Sequence, residues 1–126
     1  MPSKLTDVAP SNQKGTILSK KDSKFKVAIE SQLDNGYCFK NLKPDDLKLF
    51  HDFIEYSVNE KLTITQMDKL YLRKEGPKSS ISVNGVPYEL LHYGKDRTSF
   101  RVFGYYNTEA YFVLTKIDPH HKVHKV

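Results

Sequence analysis

The residues that could do chemistry gather at the end of the chain. Ser99 to Val126 reads SFRVFGYYNTEAYFVLTKIDPHHKVHKV, and it carries Arg101, Lys116, His120, His121, Lys122, His124 and Lys125. Such a set suits metal-independent cleavage of RNA. In that reaction the ribose 2′-hydroxyl attacks the adjacent phosphate, which needs a proton acceptor, a proton donor for the leaving 5′-oxygen, and cations around the phosphorane. Histidine titrates near neutrality and serves as either acid or base. Arginine and lysine stabilise the developing charge, and Tyr105 or Tyr106 could stack on a base. The candidates are therefore Arg101, Lys116, His120, His121 and His124 for chemistry, with Lys122, Lys125 and Tyr105 for holding RNA. Two other uses of the tail stay open. His120 or His121 with His124 and Asp118 has the spacing of a metal site, although no further Cys/His pair completes it. A solvated basic tail without chemistry is the plainest.

These side chains need elements to hold them. Ser99–Tyr106 and Ala110–Ile117 are rich in aromatic and β-branched residues and read as two strands joined by Asn107-Thr108-Glu109. Alternation with a period of two puts Arg101, Phe103 and Tyr105 on one face. For a turn of two or four residues, Phe112, Leu114 and Lys116 join them, and the four-residue case sets Arg101 opposite Lys116. Val102, Val113 and Ile117 then fall on the core face. The apolar side chains beside Arg101 are too many for a solvated surface, so that face is expected to meet a partner, a substrate or the tail.

Earlier in the chain, Lys24–Glu30 alternates as a strand with Phe25, Val27 and Ile29 inward. Tyr37-Cys38-Phe39 reads as a short return strand. A helix is expected from Pro44, with Asp45 and Asp46 at its positive end and a stripe of Leu47, Phe50, Phe53, Ile54 and Val58. A second starts at Thr63 with Gln66 in a capping box, buries Ile64, Met67, Leu70 and Tyr71, and ends at Gly76-Pro77. Asn84-Gly85 between Ile81-Ser82-Val83 and Val86 onward is a two-residue hairpin signal. The order predicts an α+β protein: an antiparallel sheet with a helical hairpin packed on one face. Residues 1–23 read as a flexible basic arm, and 24–126 as a single α+β domain ending in the basic, histidine-rich tail.

Charge agrees with a phosphate-bearing partner. The 126 residues carry a formal net charge of +5, concentrated at the two ends. Residues 1–24 hold five lysines against Asp7 and Asp22, and residues 97–126 hold Arg97, Arg101, Lys116, Lys122 and Lys125 against Glu109 and Asp118. The lone cysteine, Cys38, reads as a buried structural thiol, which fits a reducing cytoplasm. No run approaches the roughly 20 apolar residues that span a bilayer, so no membrane partner is expected. No GxxxxGK[ST], GxGxxG, HExxH, CxxC or GxSxG motif is present, so no cofactor is expected.

The run VPYELLHYGKDRTSFRVFGYYNTEAYFVLTKIDPHHKVHK resembles the C-terminal half of RelE/HigB-type toxins of bacterial toxin–antitoxin systems (the RelE/ParE superfamily). Tyr88-Glu89-Leu90, Phe100-Arg101-Val102 and Tyr111 to Lys116 carry the likeness, which extends loosely over residues 24–125. It implies a small α+β mRNA endoribonuclease, often acting on the ribosome and neutralised by an antitoxin protein. It further implies that Arg101 contacts phosphate, and that Lys116 with His120 to Lys125 replaces the basic tail. The chain departs from that pattern in Asp118-Pro119-His120-His121, in its N-terminal arm and around Asp34–Leu42. A non-catalytic protein- or nucleic-acid-binding module, or a gyrase-inhibiting toxin of the same fold, are the alternatives.

Overall fold

A computed structural model describes residues 21–74 and 76–123. Two helices, α1 (Pro44–Tyr56) and α2 (Ile64–Tyr71), precede most of a mixed sheet. Its strands are β1 (Val27–Ala28), β2 (Leu72–Arg73), β3 (Ser79–Val83), β4 (Val86–Tyr93), β5 (Arg101–Tyr106) and β6 (Phe112–Asp118). The order across the sheet is β1-β6-β5-β4-β2, with β3 paired to the first part of β4. β1 runs parallel to β6, and the other pairs are antiparallel. The architecture is therefore α+β, with an antiparallel-rich, curled sheet and two helices. Among the described residues, no helix is long and apolar enough to cross a membrane.

Local chemistry explains the helix starts. Pro44 opens α1, and the Asp46 carboxylate accepts the Lys43 N–H at 3.0 Å. Thr63 caps α2 by accepting the Gln66 N–H at 3.1 Å, while the Gln66 side chain accepts the Thr63 N–H at 2.8 Å; the expected capping box is present. The expected Asn84-Gly85 hairpin is also present, with both residues at positive φ (51° and 80°) and Val83 paired with Val86, as a type I′ turn requires.

The helices cover one face of the sheet. Phe53 and Met67 bury completely beside Phe25, Tyr93, Val102, Phe112, Leu114 and Ile117. Truncating any of these large side chains would cost about 2–5 kcal/mol. Several expectations need correcting. Leu47 and Leu70 are half exposed, because α1 turns Asp46 and Phe53 inward instead and α2 turns Ile64 and Met67. α2 stops at Tyr71, five residues before Gly76, because Leu72–Arg73 is drawn into pairing with Tyr93 and His92. The first strand shrinks to Val27–Ala28, with Phe25 buried and Ile29 outside. Tyr37-Cys38-Phe39 is no strand: a turn of 3-10 helix begins at Phe39, and buried Cys38 places its thiol 2.9 Å from Asn41 Oδ1.

The largest correction concerns β5 and β6. Gly104 pairs with Leu114 but Phe103 pairs with Lys116, so Thr115 is an extra residue in a bulge. Its hydroxyl donates to the Phe103 carbonyl at 3.2 Å. One inserted residue reverses the side-chain alternation. Phe112 and Leu114 consequently join the core face, and Arg101 lies opposite Asp118 instead of Lys116. The other face is not the open apolar surface that the alternation implied. Phe103, Tyr105 and Val113 are all buried, with Tyr88 against Tyr105 and His92 against Phe103.

Candidate nucleic-acid interface

A single lateral row crosses four strands on the face away from the helices. Arg73 of β2 pairs with His92 of β4, His92 with Phe103 of β5, and Phe103 with Lys116 of β6. The His92 imidazole stacks on the Phe103 ring at 4.7 Å between centroids and 14° between planes. At one end of the row, Arg73 Nη1 is 3.3 Å from the exposed Asp96 carboxylate. At the other, the Lys116 ammonium pairs with Asp34 and lies 5.8 Å from the Tyr37 ring centroid.

The Arg73 end opens into a cleft of about 220 Å³. Its origin is a mismatch in chain length. Arg73 pairs with His92 and Ser79 with Leu90, so five residues, Lys74 to Lys78, must fit opposite Leu91 alone. Lys74, Gly76, Pro77 and Lys78 line the rim of the cleft. Among the described residues, Arg73, Lys74, Lys78 and Glu89 line the cleft, over a floor that includes His92 and Phe103. Three cations in a concavity with a low-dielectric floor focus positive potential where an anion can enter. At its base lie the buried, mutually stacked rings of His92 and Phe103.

Of the residues singled out from sequence, those that are described sit elsewhere and do not line this cleft. Arg101 is only 5% exposed, and its Nη1 donates to the carbonyls of Thr98 (2.6 Å) and Phe100 (2.9 Å). It passes over Gly94, where an added Cβ would come within 2.8 Å of Arg101 Cδ. Such a residue fixes the Gly94–Phe100 connection. Lys116 shares the row but is paired with Asp34. His120 Nε2 lies 3.3 Å from Asp46 Oδ1 at the start of α1. Asp118 is buried and accepts the backbone N–H groups of Lys122 and Val123, each at 2.9 Å, while Ser99 donates to the Pro119 carbonyl at 2.7 Å. The tail is thus folded back over the ends of β5 and β6. His120 and Lys122 line a small cleft of about 60 Å³ there with Asp46 and Asp118. His121 is half-buried and adopts φ 57°. Tyr105 is covered by Tyr88, with 5.0 Å between ring centroids. His124 and Lys125 lie outside the described residues, as does most of the expected N-terminal arm.

The metal-site alternative needs His124, which lies outside the described residues, while both Asp118 oxygens accept backbone N–H groups. Among the described residues, the grouping with ligand-like proximity is instead His51, Asp52 and Glu55, on the exposed side of α1. Sequence reasoning missed the cleft. The available signal was the cluster Arg73, Lys74 and Lys78 around Gly76-Pro77.

Fold and site together define a small α+β protein with a curled sheet and a cationic cleft on the face opposite its helices. Compared with known proteins, the chain matches no family model, no curated sequence and no solved structure.

Proposed function

We propose that the cleft face binds RNA, and that the chain is a RelE/HigB-like toxin: a cytoplasmic mRNA endoribonuclease that an antitoxin protein holds in check. The observation that carries this reading is the convergence of Arg73, Lys74 and Lys78 on one cleft floored by the His92–Phe103 pair. Backbone phosphates supply most of the affinity for a nucleic acid, and clustered cations are what they meet. Cleavage by the 2′-hydroxyl requires a proton acceptor and donor. His92 is the imidazole placed among the cations, and His120, His121 and His124 are the reserve in the tail. The succession of a strand, two helices and antiparallel strands also supports the family resemblance. In this scheme Arg101 is a positioning residue, because its guanidinium bonds backbone carbonyls.

A second reading, RNA binding without cleavage, is favoured by the internal partners of the two cations first expected to hold phosphate. Lys116 is bound to Asp34 and Arg101 to carbonyls. Inducing the protein in bacteria and mapping transcript 5′ ends separates the two. New 5′ ends that vanish in His92→Ala and in Arg73→Ala/Lys78→Ala support the endoribonuclease. Growth arrest with RNA bound and no new ends supports the binding module. Purified protein that leaves RNA unbound at low salt overturns both.

A further inference from the structure

We propose that β3 is a dimerisation edge, on which a second copy of this chain adds its own β3 antiparallel about Ile81. The proposal does not rest on the RNA reading. β3 forms a ladder with β4 on one side, and among the described residues no strand lies along its other side. Edge strands are normally blunted by charged side chains, proline or bulges. Ser79-Ser80-Ile81-Ser82-Val83 has none of these, and its register with β4 is unbroken over all five residues.

The hairpin decides which backbone groups face outward. In a two-residue turn the flanking residues, here Val83 and Val86, form a hydrogen-bonded pair, and pairs alternate from there. Ser82 opposite Pro87 and Ser80 opposite Glu89 are therefore non-hydrogen-bonded pairs, so the N–H and C=O of Ser80 and Ser82 point away from β4. Pro87 agrees with this phase, since its position needs no N–H toward β3.

Pairing about Ile81 satisfies those groups with a copy of themselves. Ser80 meets Ser82 of the other copy in a hydrogen-bonded pair, and symmetry repeats it. Ile81 faces its own counterpart at the close spacing of a non-hydrogen-bonded pair. Tyr88 lies directly across from Ile81 on β4, so one apolar row of Tyr88, Ile81, Ile81 and Tyr88 would run over four strands. Val83 and the half-exposed Val86 flank it. The nearest cation, Lys78, falls opposite Asn84 of the other copy, so the two Lys78 side chains sit at opposite ends of the new ladder. A strand with no net charge offers a charged peptide no preference. It accepts its own sequence without a like-charge clash.

Sedimentation equilibrium of the full chain over a wide concentration range tests this. The expected result is a reversible dimer, twice the 14.6 kDa of one chain. Ser80→Pro/Ser82→Pro removes the two outward donors and none that β4 uses. Ser80→Lys/Ser82→Lys keeps the backbone and sets like charges across the new pair. Each should weaken association at least about a hundredfold, with an unchanged circular dichroism spectrum. A wild-type chain that stays monomeric at every concentration overturns the proposal. So does a dimer that the well-folded lysine variant leaves intact.

Discussion

Asp118 stands opposite Arg101 at the ends of β6 and β5, both buried, and each anchors a different stretch of backbone. Asp118 gathers the N–H groups of Lys122 and Val123, which folds the tail back. Arg101 gathers the carbonyls of Thr98 and Phe100, which shapes the connection from β4. The bulge at Thr115 creates the relationship, because without the extra residue Arg101 would face a different partner.

Asp118→Ala should therefore do more than remove a charge. It strips the acceptor from two tail N–H groups. A loss of about 3 kcal/mol in urea unfolding is expected, with faster amide exchange at Lys122 and Val123. Asp118→Asn, which keeps an acceptor oxygen, should lose roughly half as much. Equal stability of wild type and Asp118→Ala would show that the tail turn contributes nothing.

Gly94 makes a second test of the same corner. A Cβ there would lie 2.4 Å from the Phe100 carbonyl oxygen and 2.8 Å from Arg101 Nη1. The first contact is with backbone and cannot be relieved by a side-chain rotation. Gly94→Ala should destabilise by about 2–3 kcal/mol, and adding Arg101→Ala should not restore the loss. Recovery in the double variant would locate the clash in the guanidinium arm instead.

How far the sequence reaches can be judged at these same residues. Thr63 with Gln66, Pro44 with Asp46, and Asn84-Gly85 are signals complete within a few positions, so they mark helix starts and a turn correctly. The β5–β6 alternation fails because period-two reasoning assumes one residue per rung, and nothing local announces that Thr115 is extra. A five-residue gap between Tyr106 and its partner Phe112 lies outside the turn lengths considered. The parallel pairing of Val27 with Phe112 joins segments far apart in the chain, and no local pattern encodes it. The cleft is illegible for a similar reason. Its cations come from β2 and the loop after it, while His92 and Phe103 come from β4 and β5, so only the sheet register brings them together.

Tyr93 ties the helices to the sheet and gives the fold an alkaline limit. Its hydroxyl lies 2.5 Å from both Asp68 Oδ1 and the Tyr106 hydroxyl, and Asp68 also holds Lys21 at 2.8 Å. Burial, then the neighbouring Tyr106 and Asp68, push the Tyr93 phenol far above its ordinary value; burial likewise raises Tyr106. A raised folded-state pKa favours the protonated fold, so this contribution is whole below about pH 10 and declines above it as the unfolded chain ionises first. Stability should fall by about 1.4 kcal/mol per pH unit for each such tyrosine. Urea unfolding between neutral pH and the alkaline limit should show a shallower decline for Tyr93→Phe, offset by a loss of about 1–2 kcal/mol at neutral pH. Parallel alkaline slopes for the two proteins would show that Tyr93 ionises as freely folded as unfolded.

The cleft can be tested by salt as well as by mutation. Each phosphate neutralised on a single strand contributes about 0.7 to the slope of log affinity against log salt. With a single-stranded RNA oligonucleotide, Lys78→Ala and Arg73→Ala should each weaken binding across all sequences and lower that slope by about 0.7. Lys48→Ala, on the exposed side of α1 away from the cleft, should leave both quantities unchanged and serves as the control for net charge. His92→Ala, which leaves Arg73, Lys74 and Lys78 in place, should leave the slope intact and abolish cleavage. If Lys48 and Lys78 variants lose affinity equally, the protein attracts RNA by overall charge, and the cleft formed between Arg73 and Ser79 is not where the polymer sits.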